Sequence, residues 1–97
     1  MYDIDWLDDA LDALQKMTSR DERRVYDIVD RTLTFLPAQE SLNLKRLRPN
    51  SLAGWELRIS NFRVFYDVNE DERLVSIIAI GKKTGGQLRI HGRDFEL

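Results

Sequence analysis

Apolar residues recur at helical intervals in the first third of this chain and at alternate positions through most of the rest. Leu7, Ala10, Leu11, Leu14 and Met17 predict an amphipathic helix of about ten residues. Val25, Ile28, Val29, Thr32, Leu33 and Leu36 describe a second helix. Ser19-Arg20-Asp21-Glu22 opens it in the form of a capping box, and Pro37 stops it. Ahead of both, Tyr2, Ile4 and Trp6 share one face of a short strand. The stretch from Ala38 to Ala53 has no clear period. After it come two alternating segments, Trp55–Ile59 and Phe62–Val68, and then Arg73 to Ile80, apolar on both faces as a central, doubly covered strand requires. Gly81-Lys82-Lys83-Thr84-Gly85-Gly86 reads as a loop. The tail alternates Leu88 and Ile90, turns at His91-Gly92 and returns through Phe95 and Leu97. The expected fold is α+β: two N-terminal helices packed on one face of a twisted, mainly antiparallel sheet, ending in a hairpin or tail.

The sharpest local feature is the hairpin around Ser60-Asn61. A two-residue loop, with Asn tolerating a positive φ, pairs Ile59 with Phe62, Arg58 with Arg63, Leu57 with Val64 and Glu56 with Phe65. Side chains alternate along a strand, so the two arginines lie side by side on one face. Like charges directly opposite cost about 0.2–1 kcal/mol. A fold tolerates that if the guanidinium forks receive an anion, whose phosphate oxygens they match in a bidentate way. The alternative is a pair of solvated surface arginines sharing Glu56 or Asp67. A second turn centred on Glu70-Asp71 would bring Ile80 and Lys82 onto the arginine face and leave Lys83 to begin the loop. Arg46 and Arg48 would then line the side of this concavity, and Phe65 would be free to stack on a base.

Composition narrows the function. Ninety-seven residues suffice for one domain with one core. The absence of cysteine removes disulfides, thiolate metal sites and thiol nucleophiles. Met1 to Asp5 carry no basic segment followed by an apolar one, so no signal peptide is expected, and Ile77-Ile78-Ala79-Ile80 is too short to span a membrane. A cytoplasmic protein is the expectation. Net charge is −2, yet residues 1–40 hold ten acidic and five basic side chains while residues 41–97 hold seven and ten. A basic half on an acidic half focuses local positive potential.

Other motifs resolve simply. Gly81-Lys82-Lys83-Thr84 lacks the upstream glycine of a phosphate-binding P-loop, since position 76 is Ser. Asn69 to Glu72 lacks calcium-ligand spacing, and Asp8-Asp9 complements a helix macrodipole. His91 is the only histidine, so an acid–base pair of histidines is impossible, and beside Gly92 it reads as a surface residue. Glu56, on the arginine face, is a candidate base or a structural ion-pair partner.

Taken together, Leu44-Lys45-Arg46-Leu47, Trp55-Glu56-Leu57-Arg58-Ile59, Phe62-Arg63-Val64-Phe65-Tyr66-Asp67-Val68 and Ile78-Ala79-Ile80-Gly81-Lys82-Lys83 resemble the RelE/ParE superfamily of toxins from bacterial toxin–antitoxin pairs. The resemblance runs over nearly the whole chain. It implies a cognate antitoxin as partner, DNA contact only through an antitoxin complex, and no cofactor. For RelE-like members it implies a ribosome-dependent, metal-independent endoribonuclease acting on mRNA. Arg63 would then stabilise the phosphate, Arg58 would replace a lysine, and Lys83 would act as stabiliser or proton donor. Lys45, Arg46, Arg48, Lys82 and Arg89 would contact RNA phosphates. The chain departs from that pattern in its slight acidity, in Glu56 where the pattern has lysine, and in Arg89 where some members carry a catalytic tyrosine. Glu56 and His91 are the acid–base candidates left. The alternatives the resemblance allows are a ParE-like inhibitor of DNA gyrase and a superfamily member without toxicity.

Overall fold

Val25, Val29 and Leu33 recur every fourth residue and are fully buried, and they fix the second helix against a sheet. The computed structural model describes residues 1–97. In chain order the elements are β1 (Asp3–Trp6), α1 (Asp8–Gln15), α2 (Ser19–Leu33), β2 (Leu44–Arg46), β3 (Trp55–Ile59), β4 (Phe62–Asn69), β5 (Leu74–Thr84), β6 (Gln87–Ile90) and β7 (Arg93–Phe95). The strands form one sheet in the order β2-β3-β4-β5-β6-β7, and β1 pairs in parallel with the first half of β5. All other pairings are antiparallel. No helix is long and apolar enough to cross a membrane.

Both helices lie on one face of the sheet, here the helix face. Ala10 and Leu14 of α1 join the α2 residues, Leu57, Ile59, Val64, Tyr66, Val75, Ile77 and Ile80 in the main core. A smaller cluster of Ala53, Phe65, Ala79 and Ile90 occupies the outer face. The capping of α2 falls one residue earlier than Ser19: Thr18 Oγ1 accepts from the Asp21 amide at 3.2 Å. The helix ends at Leu33, ahead of Pro37, and its end is tied to the start of β1, where the Tyr2 amide donates to the Thr34 carbonyl at 2.8 Å. Tyr66 Oη donates to the Pro37 carbonyl at 2.7 Å and pins the chain as it leaves α2.

The first hairpin has the expected register throughout, Arg58 opposite Arg63 included. The positive φ falls on Ser60 (53°) rather than on Asn61. Three expectations fail. Leu44–Arg46 is a strand against β3, too short to show a period. Gly81 to Thr84 continues β5, and the loop shrinks to Gly85-Gly86, both at positive φ. The pairing of β4 with β5 also differs. Phe65 lies opposite Ala79 but Tyr66 lies opposite Ile77, so Ile78 is an inserted bulge residue. A one-residue slip exchanges the faces of everything beyond it. Gly81 therefore lies opposite Arg63, which puts Lys83 on the arginine face and sends Lys82 and Ile80 to the other.

Candidate functional site

On the outer face, β3, β4 and β5 present four charged side chains to one cleft of about 450 Å³. Glu56, Arg58, Arg63 and Lys83 line it, with Leu47, Leu88 and the segment Phe95-Glu96-Leu97 as its remaining walls. Alternation places Glu56 and Arg58 on this face, cross-strand pairing adds Arg63, and the bulge adds Lys83.

Arg58 Nε donates to Glu56 Oε2 at 3.0 Å. Glu56 is only 7% exposed, so this bond holds a carboxylate at the base of the cleft. Both terminal amino groups of Arg58 keep their donors for a ligand. Arg63 Nη1 donates to the Ser60 and Phe62 carbonyls, each at 2.9 Å, which ties the guanidinium to its own turn and leaves Nε and Nη2 without a protein partner. Lys83 is exposed and forms no ion pair. Two half-used guanidinium forks and an ammonium thus stand beside one carboxylate, and their free donors match the oxygens of a tetrahedral anion. Asp67 takes no part: its Oδ1 accepts from the Gly54 amide at 2.6 Å.

The other sequence candidates are dispersed. Lys45 lies opposite Glu56 and shares the face of the cleft, at its β2 edge. Arg46 lies over the Trp55 ring, 5.7 Å from its centroid, and lines with Arg48 a separate basin of about 400 Å³ closed by the Pro49–Gly54 loop. Lys82 stands 5.8 Å over the Phe62 ring on the opposite side of the sheet. Arg89 is its cross-strand neighbour and pairs with Asp94 at 3.1 Å. His91, at positive φ in the last turn, lies 3.7 Å from Asp9 of α1. Lys82, Arg89 and His91 line a hollow of about 550 Å³ with the α1–α2 corner, away from the arginines. Phe65 is fully buried and offers no stacking face.

Sequence reasoning missed the wall made by β6, β7 and the last two residues. Gly81 carried the signal. A Cβ there would sit 2.9–3.0 Å from Leu88 Cδ1, the Arg89 carbonyl and Ile90 Cγ1, so the glycine lets β6 approach closely beside the end of β5.

Two helices packed on one face of a mainly antiparallel sheet are the architecture of RelE-like toxins. Three solved structures share it: the RelBE2 toxin–antitoxin complex from Mycobacterium tuberculosis (TM-score 0.72, 20% identity, 84% of this chain and 98% of that one), the archaeal RelE–RelB complex from Pyrococcus horikoshii (0.69, 23%, 87% and 96%) and the intact E. coli RelBE complex (0.59, 20%, 87% and 99%). No curated protein matches by sequence. Residues 4–84 match the family described as the ParE toxin of the type II toxin–antitoxin system parDE, and the chain belongs to that family. The match ends at Thr84, before β6.

Proposed function

We propose that this toxin is an endoribonuclease that cuts mRNA on translating ribosomes and is silenced by a cognate antitoxin. The observation that carries the reading is the convergence of Arg58, Arg63, Lys83 and Glu56 on one cleft. Cleavage of RNA by its own 2′-hydroxyl needs three things: a base for that hydroxyl, charge stabilisation at the phosphoryl oxygens, and a proton for the departing 5′-oxygen. Arg58 and Arg63 grip the non-bridging oxygens. Glu56, oriented by Arg58 through one carboxylate oxygen, takes the 2′-hydroxyl proton with the other. Lys83 protonates the 5′-oxygen as the new 2′ P–O bond forms and the 5′ P–O bond breaks. The products are a 2′,3′-cyclic phosphate and a 5′-hydroxyl end. Lys45 extends the positive strip along β2; His91, Lys82 and Arg89 have no role in this step.

Mapping cleavage ends on an mRNA undergoing translation in vitro tests the proposal. Fragments with 5′-hydroxyl ends are expected from the wild type and not from Glu56→Gln. Intact mRNA in the presence of folded wild-type toxin refutes it. A second reading, a ParE-like gyrase inhibitor acting by binding, draws support from the family match and from the net charge of −2, low for an RNA-binding protein. Inhibition of DNA supercoiling with mRNA left intact decides for it.

A further inference from the structure

Arg58 and Arg63 border a second hollow besides the cleft. β2 pairs with β3 only from Trp55 to Leu57; past it the Arg58 amide donates to the Asn43 carbonyl at 2.7 Å, and the sheet edge opens toward α2. The space between them is about 540 Å³ and is lined by Arg58, Arg63 and Arg24 of α2. Fully buried Val25 fixes the rotation of the helix, so its neighbour Arg24 stands exposed at the rim, in no ion pair. Three guanidinium groups from three elements thus meet with no acid among them. The cleft holds Glu56 and Glu96, the hollow at the α1–α2 corner Asp21 and the Arg46 basin Asp67, whereas this one has no carboxylate in its lining.

We propose that this hollow is a second phosphate site, which holds the backbone phosphate adjoining the one gripped in the cleft, with Arg24 as its own cation. The inference rests on the reading of the cleft as a phosphate grip. A guanidinium carries five N–H donors and no acceptor, so three of them without a carboxylate form a field that only an anion relieves. Arg58 spends Nε on Glu56, and Arg63 spends Nη1 on its own turn. Their remaining donors lie between the two hollows and can serve a phosphate in each. Both spaces are large enough for one nucleotide. Their linings divide the work: the cleft has a proton acceptor in Glu56, whereas the second hollow has none and can only bind. Ser41, Asn43 and Ser60 add neutral hydrogen-bonding groups within reach of a sugar. A single strand held by its backbone in this way would cross the sheet edge whatever its bases.

Equilibrium binding of uncleavable 2′-O-methyl RNA to the purified full chain tests the assignment, with a dinucleotide carrying one phosphate and a trinucleotide carrying two. Arg24→Ala should weaken the trinucleotide about tenfold more than the dinucleotide, the margin of one charge-assisted contact. It should also flatten the fall of log K with log salt for the trinucleotide by about 0.7, the share of one single-strand phosphate. Arg24→Lys keeps the charge and should keep that slope. Equal losses for both probes, an unchanged trinucleotide, or no binding of either overturns the inference. Arg24-dependent trinucleotide binding with mRNA left uncut would sustain the second site and refute the nuclease. Arg63-dependent cleavage with the same kcat/KM in Arg24→Ala as in wild type would do the reverse.

Discussion

Leu57 and Arg58 are neighbours in sequence, yet one is sealed in the main core and the other opens onto the cleft. Val64 and Arg63 repeat the contrast on the next strand. The helix face encloses a large apolar core under two helices, whereas the outer face pairs a four-residue cluster with charges held only in part by protein groups. Stability is thus concentrated on one side of a single sheet, which frees the other to keep two arginines opposite each other at a cost of about 0.2–1 kcal/mol. The largest expected effects separate the faces. Arg63→Ala should slow mRNA cleavage about 10²–10³-fold while the chain stays folded, since its two bonds to the turn are lost together with the like-charge repulsion. Leu57→Ala should cost about 2–5 kcal/mol in a denaturant titration. Loss of folding in the first, or none in the second, would merge what the geometry divides.

Adjacent lysines sharpen the same division. Lys83→Ala removes a cation from the cleft and should cut the cleavage rate by about tenfold to a hundredfold, the range for a positioned proton donor. Lys82→Ala alters only a contact over Phe62 and should leave the rate within twofold of wild type, a margin of ~0.4 kcal/mol. Equal losses in single-turnover assays would mean that the Ile78 bulge does not divide the two lysines between the faces.

That bulge also marks where sequence ceases to be informative. Alternation and a two-residue turn suffice to read the Arg58–Arg63 pairing, because each rung of a short hairpin depends only on the one before it. Two helices, a central β5 and a final turn at His91-Gly92 are legible for the same reason: each has a local period or a local breaker. An inserted residue in the middle of an apolar run leaves no such mark. Ile77, Ile78, Ala79 and Ile80 look alike in pattern, although Ile77 and Ile80 enter the main core while Ala79 joins the outer cluster. The slip passes to every residue beyond it and places Lys83, not Lys82, on the arginine face. Leu44–Arg46 was hidden by its length. The hairpin wall is not legible because Gly81 to Thr84 read as loop rather than as the end of the strand on which β6 pairs.

Gly81→Ala probes how firmly that wall is held. The added methyl meets Leu88, Ile90 and a backbone carbonyl at 2.9–3.0 Å, and backbone cannot yield as a side-chain tip does. A loss of about 1–3 kcal/mol is expected from overpacking. Amide exchange should quicken in β6 and β7 while β3 and β4 keep their protection. Uniform loosening across the sheet would show instead that the hairpin is part of the main cooperative unit.

The smallest effect lies on the helix face and depends on pH. Tyr66 is buried, and burial pushes its hydroxyl above the ordinary tyrosine value of 10, while in the unfolded chain it ionises near that value. The folded state therefore keeps a proton that the unfolded state gives up. Stability is complete below pH 10 and falls as pH rises past it, by at most about 1.4 kcal/mol per pH unit for one group. Half-buried Tyr2 is raised as well, chiefly by its hydrogen bond to Glu70, and adds to the slope with the same sign. Tyr66→Phe gives up the bond to the Pro37 carbonyl, worth about 1 kcal/mol at neutral pH, but it removes one ionisation from the unfolded state. Denaturant titrations of wild type and variant should therefore converge above pH 10, with Tyr2→Phe run in parallel to subtract its share. Parallel curves would mean that Tyr66 reaches solvent in the folded state, so that the main core is less tightly closed around it than its burial shows.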